Sequence, residues 1–356
     1  MRFEFFPSES RIVDLLFFPE SIFFDKKSRK ELESSPYVEY IPEESMKQYE
    51  AFVEVLKPYE KAIQKFYFDE QSLPSLLSKL YAPFGYESAG DYLELIANLD
   101  EEALLNCFLT KLRSLVNGEQ VNVKNGVTID TDAHIELLEQ IPLSDEERWK
   151  ISKLLRHPKE MTLEWIQLVN IIEPIFDAFY KARESEVIEM GKKITQQLTL
   201  TDGEAIFEMS NQMLRKELLP SGNILISVIN NYMLEFNTRS NIPYVRWGLD
   251  VEKLMENIKN AKESELKERV LLFKNLGDKT RYEVVRLIAQ GVETAKEIAE
   301  ILGVSQATIS YHIGNLTSSR LILLDKREGN YNYKVNFDYL ESAYLKMLKD
   351  FNKIEE

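Results

Sequence analysis

Cysteine is almost missing from this chain: Cys107 is the only one in 356 residues. That excludes a disulfide framework, suits a reducing compartment such as the cytoplasm, and leaves too few thiols for a zinc or other soft-metal centre. Histidine is nearly as scarce, with His134, His157 and His312 far apart in sequence. Long apolar runs are absent as well. The opening MRFEFFPSESRIVDLLFFPE is aromatic, but Glu4, Glu9, Asp14 and Glu20 interrupt it, and no apolar stretch approaches the ~20 residues of a membrane span. We therefore expect neither a signal peptide nor a membrane segment. Positive charge is in deficit, 44 Lys plus Arg against 59 Asp plus Glu, a net charge of -15 that argues against a generic nucleic-acid coat protein. A Walker phosphate loop, a GxSxG elbow, HExxH and a Rossmann glycine triplet are all missing, so no catalytic or cofactor site is expected. Internal repeats and low-complexity tracts are absent too.

What is present is a chain longer than one ordinary domain, with 44% hydrophobic residues to build cores. The spacing of apolar residues predicts helices over 42–68, with a kink permitted at Pro58, and over 73–81, 88–98, 101–115, 144–155, 162–181, 184–198 and 201–217. Ser144 and Glu147 have the spacing of a capping box. The FEFFP opening reads as a strand followed by an irregular docking segment. Alternating residues around Asn125-Gly126 predict a hairpin over 121–129. The uncharged 218–234 stretch holds Pro220, Gly222 and three asparagines, which favours buried strands, expected at 223–229, 232–236 and 244–247. Residues 250–267 are highly charged and read as a helical linker. The fold class expected is mainly α with small β elements (α+β): a helix-rich N-terminal domain, 1–260, and a second domain, 261–356.

Charge divides unevenly between the two. Residues 265–336 carry 11 basic and 9 acidic side chains, net +2, which leaves 33 and 50 elsewhere, net -17. Within the basic part, 301–319 has no charged residue at all in a chain that is 29% charged. Ile309, Ile313 and Leu316 fall at i, i+4 and i+7, one apolar helical stripe, while Gln306, Ala307, Ser310, Tyr311 and Asn315 lie off it. Ser305 is placed as the N-cap. Upstream, Ala295, Ile298, Ala299 and Leu302 mark a short helix ending at Gly303, so the pair reads as a helix-turn-helix. Leu321–Leu324 and Tyr331–Val335 then form a hairpin through DKREGN, with Gly329-Asn330 in its turn and Lys326 and Arg327 near its tip. Together these elements make a winged helix.

The SQATISYHI run, Ser305 to Ile313, resembles the S-Q-x-T-x-S-x-H-L signature of ArsR-type winged-helix regulators. Leu276-Gly277-Asp278-Lys279-Thr280-Arg281 is similar to that family's L-x-D-x-T-R opening, and Arg327-Glu328-Gly329 with Tyr331 and Tyr333 to its wing. The resemblance covers about 75 residues and leaves the N-terminal domain outside it. It implies a DNA-binding transcriptional regulator, a dimer formed through helices flanking the winged domain, and no catalytic role. Thiol-type members carry C-x-C ligands in the helix before the recognition helix; the matching segment here, 296–301, has none. The terminal helix has Asp338, Glu341 and Asp350 but no histidine to complete the usual metal site.

The candidate DNA contacts are Ser305, Gln306, Ala307, Thr308, Ser310, Tyr311 and Asn315, with Lys326 and Arg327 on the hairpin. Gln306 and Tyr311 have the chemistry to read base edges, and Thr308 and Ser310 to meet phosphate. Merely exposed polar residues are the plainer reading. Arg327 suits the minor groove or a phosphate. Lys279 and Arg281 sit where a backbone contact is available, although Arg281 serves equally well as an internal partner for Asp278. His312, beside the apolar stripe, is expected to be structural and hydrogen-bonded within the domain. No metal or cofactor is expected. With a local charge of only +2, DNA binding should depend on a few well-placed cations and fall steeply with salt. Expected partners are double-stranded operator DNA, a second copy of the chain, and a small-molecule or protein effector at the N-terminal domain. Two other readings stay open: a winged helix used for protein contacts, and an enzyme with an accessory winged domain.

Overall fold

A computed structural model describes residues 2–23, 38–68, 72–117, 136–141, 143–210, 214–238, 240–260, 264–327 and 330–351. The chain is mainly α-helical with small β elements. It groups into two compact units, one drawn from 2–23, 43–199 and 220–251, the other from 38–42, 200–219 and 252–351. The expected hairpin at 121–129 lies outside the described residues.

In the first unit, β1 (Glu4–Phe5) leads into α1 (Pro7–Phe17), so the segment expected to be irregular is helical, with Pro7 at the start where its missing N–H costs nothing. A 3-10 stretch, Phe18–Phe23, follows. Then come α2 (Glu43–Leu56), α3 (Ala89–Asn98), α4 (Glu101–Asn117), α5 (Asp145–Arg156) and α6 (Pro158–Leu200). Pro58 ends the expected 42–68 helix by starting a 3-10 turn. Ser144 and Glu147 close a capping box on α5. The break between α5 and α6 falls at His157, because the residue before a proline is driven out of the helical region. The two helices expected at 162–181 and 184–198 are one helix of 43 residues. Nothing between Lys181 and Glu184 caps or breaks a helix, and the interior Pro174 is tolerated on the exposed face. The helix expected at 201–217 shrinks to single turns, since Asp202 and Gly203 take positive φ, 48° and 85°, and end the helical run.

Strands β2 (Asn223–Ser227), β3 (Leu234–Asn237) and β4 (Tyr244–Gly248) complete a sheet of order β1-β2-β4-β3. β1, β2 and β4 run parallel, and β3 is antiparallel to β4. Close approach secures the short first strand. A Cβ on Gly222 would stand 1.7 Å from the Arg2 carbonyl, and one on Gly191 in α6 would meet the Phe5 ring at 2.5 Å.

Polar anchors hold α1 in place. Arg11 donates to Glu173 at 2.7 Å and Asp177 at 2.6 Å on α6. Asp14, fully buried, accepts from the Ser227 hydroxyl at 2.6 Å and from the Val228 and Ile229 amides at 2.7 and 3.3 Å. It thereby caps the end of β2. Asp250 accepts two bonds from Arg183 of α6 and one from Ser45 of α2.

The second unit contains α7 (Val251–Asn260), in which Leu254 and Ile258 are buried rather than solvated as a linker would be. It continues with α8 (Ser264–Leu276), α9 (Lys279–Ala289), α10 (Ala295–Leu302), α11 (Gln306–Ser318), the antiparallel pair β5 (Ile322–Arg327) and β6 (Asn330–Val335), and α12 (Phe337–Asp350). A single core joins Leu272, Val284, Ile298, Ile313, Leu316 and Val335 from five of these elements.

Burial pushes the Asp14 carboxyl up to about 6 from its ordinary 3.8, against the pull of Arg246 and of the three donors. Between those two values the folded chain keeps a proton that the unfolded chain has lost, so stability falls as pH rises from about 4 to about 6 and levels off above. Asp14→Asn is expected to flatten this slope in urea unfolding measured across that range. Asp14→Ala should cost about 1–3 kcal/mol throughout, because it leaves the Ser227, Val228 and Ile229 donors buried and unpaired.

Candidate nucleic-acid interface

The interface is built around α11 and the turn that delivers it. Thr294 and Glu297 form a capping box at the start of α10. Gly303 ends that helix in the left-handed conformation, φ 66°, which favours a residue without Cβ. The chain turns at Val304, and Ser305 caps α11 by accepting from the Thr308 amide at 3.1 Å. Ile309, Ile313 and Leu316 are buried in the core. That fixes how α11 is rotated about its axis. Gln306, in the first turn, and Ala307, Ser310 and Tyr311, which the helical repeat carries away from that stripe, stand exposed, Tyr311 at 52%.

Two of the expected contacts are engaged within the helix itself. The Thr308 hydroxyl lies 2.7 Å from that of Ser305, sharing the cap. Asn315 is half-buried, and its side-chain amide donates to the Tyr311 carbonyl at 3.0 Å. Asn275 at the end of α8 donates to the Asn315 carbonyl at 3.1 Å and ties the two helices together.

Arg281 is engaged within the unit as well. Its Nε donates to the Asn275 carbonyl at 3.3 Å and its guanidinium lies 3.8 Å from Asp278, so it is an internal partner. Asp278 caps α9, and the bond from the Arg281 amide is the main reason its carboxyl is held below the usual range. Arg320, in the left-handed region at φ 58°, pairs with Glu268 at 3.4 Å. Lys279, Lys296 and Lys334 are among the exposed cations of the described residues.

His312 departs from expectation. Its Nδ1 is shielded and makes no hydrogen bond among the described residues, and burial is the main cause that lowers its pKa below the ordinary 6.5. The ring packs edge-on to Tyr311, with centroids 5.5 Å apart.

The hairpin is longer than the β-prone runs suggested. β5 and β6 pair through Lys326↔Tyr331 and Arg327↔Asn330, so Lys326, Arg327 and Asn330 are strand residues rather than turn residues. Alternating β-pairing carries the ladder past the polar positions that marked the loop. The side chains of Lys326 and Arg327, and residues 328–329, lie outside the described residues. Next to α11, Ile301 at 57% exposure and Val304 at 38% present apolar surface that the helical spacing did not single out.

Cys107 is fully buried, its thiol donates to the Leu76 and Leu77 carbonyls at 3.4 Å, and burial pushes its pKa up to about 12. Among the described residues, no three His, Cys, Asp or Glu side chains are grouped so as to hold a metal ion. No helix among them is long and apolar enough to cross a membrane.

Two comparisons with known proteins bear on this unit. A family model described as a helix-turn-helix domain matches residues 276–325. The transcriptional repressor SdpR of Bacillus subtilis (strain 168) is similar, 32% identical over 83 residues that make up 23% of this chain and 91% of the repressor. With the only thiol sealed and no ligand set assembled among the described residues, we expect affinity for DNA to be unchanged by zinc, cadmium or arsenite. Release from DNA by any of them, reversed by a chelator, would overturn this expectation.

Proposed function

Because the chain belongs, through its C-terminal unit, to the ArsR-type helix-turn-helix transcriptional regulators, we propose that it is a dimeric, sequence-specific repressor whose signal enters through the N-terminal unit. DNA binding is supported by the family match. Sequence-specific reading is supported by the face of α11: uncharged, exposed, and rich in groups that pair with bases. Gln306 suits a bidentate contact to adenine, and Tyr311 a hydroxyl contact or packing on a thymine methyl. Ser305, Thr308, Ser310 and Asn315 serve as backbone contacts and Ala307 as close packing, while Lys326 and Arg327 on the wing meet phosphate or the minor groove. We place the protein in the cytoplasm, where such DNA is found.

Dimerisation is supported by apolar surface left over on the two flanking helices. Leu266 and Val270 on α8 are 57% and 59% exposed, and Phe337 and Tyr344 on α12 are 59% and 49% exposed, as is Phe351 just beyond it at 69%. Arg269 of α8 pairs with Asp350 of α12 at 2.8 Å, so the two helices lie side by side. A two-fold dimer through this surface would set two recognition helices about 34–36 Å apart, one turn of DNA. Light scattering at micromolar concentration should give twice the chain mass. Val270→Asp should give the single mass.

With Arg281 and Arg320 engaged internally, we assign phosphate contact to about three cations per copy, Lys279, Lys326 and Arg327. At about 0.9 per neutralised phosphate, a dimer should show a log–log salt slope of about -5. Duplexes selected from a random pool supply an operator, and titration against operator and scrambled sequence separates the roles. Gln306→Ala should cost about 1–3 kcal/mol on the operator and little on scrambled DNA. Arg327→Ala should weaken both and flatten the slope by about one unit per copy. Equal loss on both duplexes for Gln306→Ala would favour the protein-contact reading, to which the exposed Ile301 and Val304 also lend themselves.

A further inference from the structure

Gly314 sits in the interior of α11, exposed, with ordinary helical backbone. Its conformation therefore does not require glycine, unlike that of Gly303. Packing does not require it either, because a Cβ built at 314 meets nothing within 4 Å. Glycine in a helix interior nonetheless costs stability relative to alanine, through the backbone freedom it loses on folding. The protein thus carries a helix-weakening residue that none of its own described contacts explains. The helical repeat places 314 one turn beyond Ser310 and two turns beyond Ala307, at the middle of the outward face opposite Ile309, Ile313 and Leu316. A helix with its side chains is about 10–12 Å across, and the major groove is about 12 Å wide. A helix seated in that groove has almost no slack, and a single missing Cβ decides how deep it goes.

We propose that Gly314 is the point of closest approach between α11 and the duplex, a positioning residue that sets the depth at which Gln306 and Tyr311 reach the bases. This rests on the DNA-binding reading above. It assigns to residue 314 the removal of a steric block rather than a contact of its own.

The test uses the full chain, the selected operator and the scrambled duplex, with Gly314→Ala and Gly314→Val. Gly314→Ala is expected to raise the melting temperature by about 2 °C, since it restores helix propensity in open space. It should also weaken operator binding at least tenfold while leaving scrambled DNA within about twofold. Gly314→Val should weaken operator binding further. Stability and affinity moving in opposite directions is the signature that a merely structural glycine does not produce. Operator affinity within twofold of wild type for both variants would overturn the proposal and leave the DNA-binding reading intact. A lowered melting temperature for Gly314→Ala would also overturn it, because the glycine would then be serving the fold. Failure of the unaltered chain to prefer any duplex would remove the reading and the proposal together.

Discussion

Burial of Ile309, Ile313 and Leu316 in the small core of the second unit is the constraint on which the interface depends. Each such side chain contributes about 1.5–3 kcal/mol when removed from water. A rotation of α11 by one residue, about 100°, would forfeit most of that. The orientation of Gln306, Ala307, Ser310 and Tyr311 is therefore a consequence of the core rather than of any polar contact they make. The caps at Thr294, Ser305 and Asp278 then fix where each helix begins, and Gly303 fixes the turn between two of them. The outer face is left free of obligations to the fold, which is what a surface selected for another molecule requires.

The first unit is stabilised in a different way. Its sheet is small, and what binds α1 to it is a set of buried polar bonds: Asp14 on the end of β2, and Ser10 accepting from the Ile226 amide at 3.0 Å. Arg246 in β4, nearly buried, donates to Glu235 at 3.0 Å and lies over the Phe17 ring at 5.4 Å. Bonds of this kind are costly to leave half-made, so they specify one arrangement more sharply than apolar packing alone.

The winged unit was legible in the sequence because its signals are local. Cap residues, a glycine at a left-handed position and a 3.6-residue stripe all act within a dozen residues. The same locality explains what was missed. The hairpin ladder runs through Lys326 and Arg327 because pairing with the opposite strand outweighs their polarity, and no window on one strand shows its partner. Arg281 was undecided for a similar reason, since the carbonyl that captures it belongs to Asn275 on the preceding helix. In the first unit, helix ends were readable where a capping box marks them, as at Ser144 and Glu147, and not where they depend on backbone conformation. Positive φ at Asp202 stops a pattern that continues in sequence, and the chain runs on as helix through 181–184, where two helices are expected from the apolar spacing. Glu4 and Phe5 read as a strand, yet nothing nearby shows that their partner is Asn223–Ile224.

That last pairing governs how the chain is made. Glu4 and Asn223 are about 220 residues apart, so at a synthesis rate of about 5–20 residues per second the first strand waits on the order of 10–40 s for the strand it joins. During that interval Phe3, Phe5 and Phe6 have no sheet to enter, and Gly191, whose missing Cβ makes room for Phe5, has only lately left the ribosome. The first unit can close only when synthesis has nearly reached the winged unit. The aromatic start of the chain is thus a segment that gains from shelter by a chaperone while translation is under way.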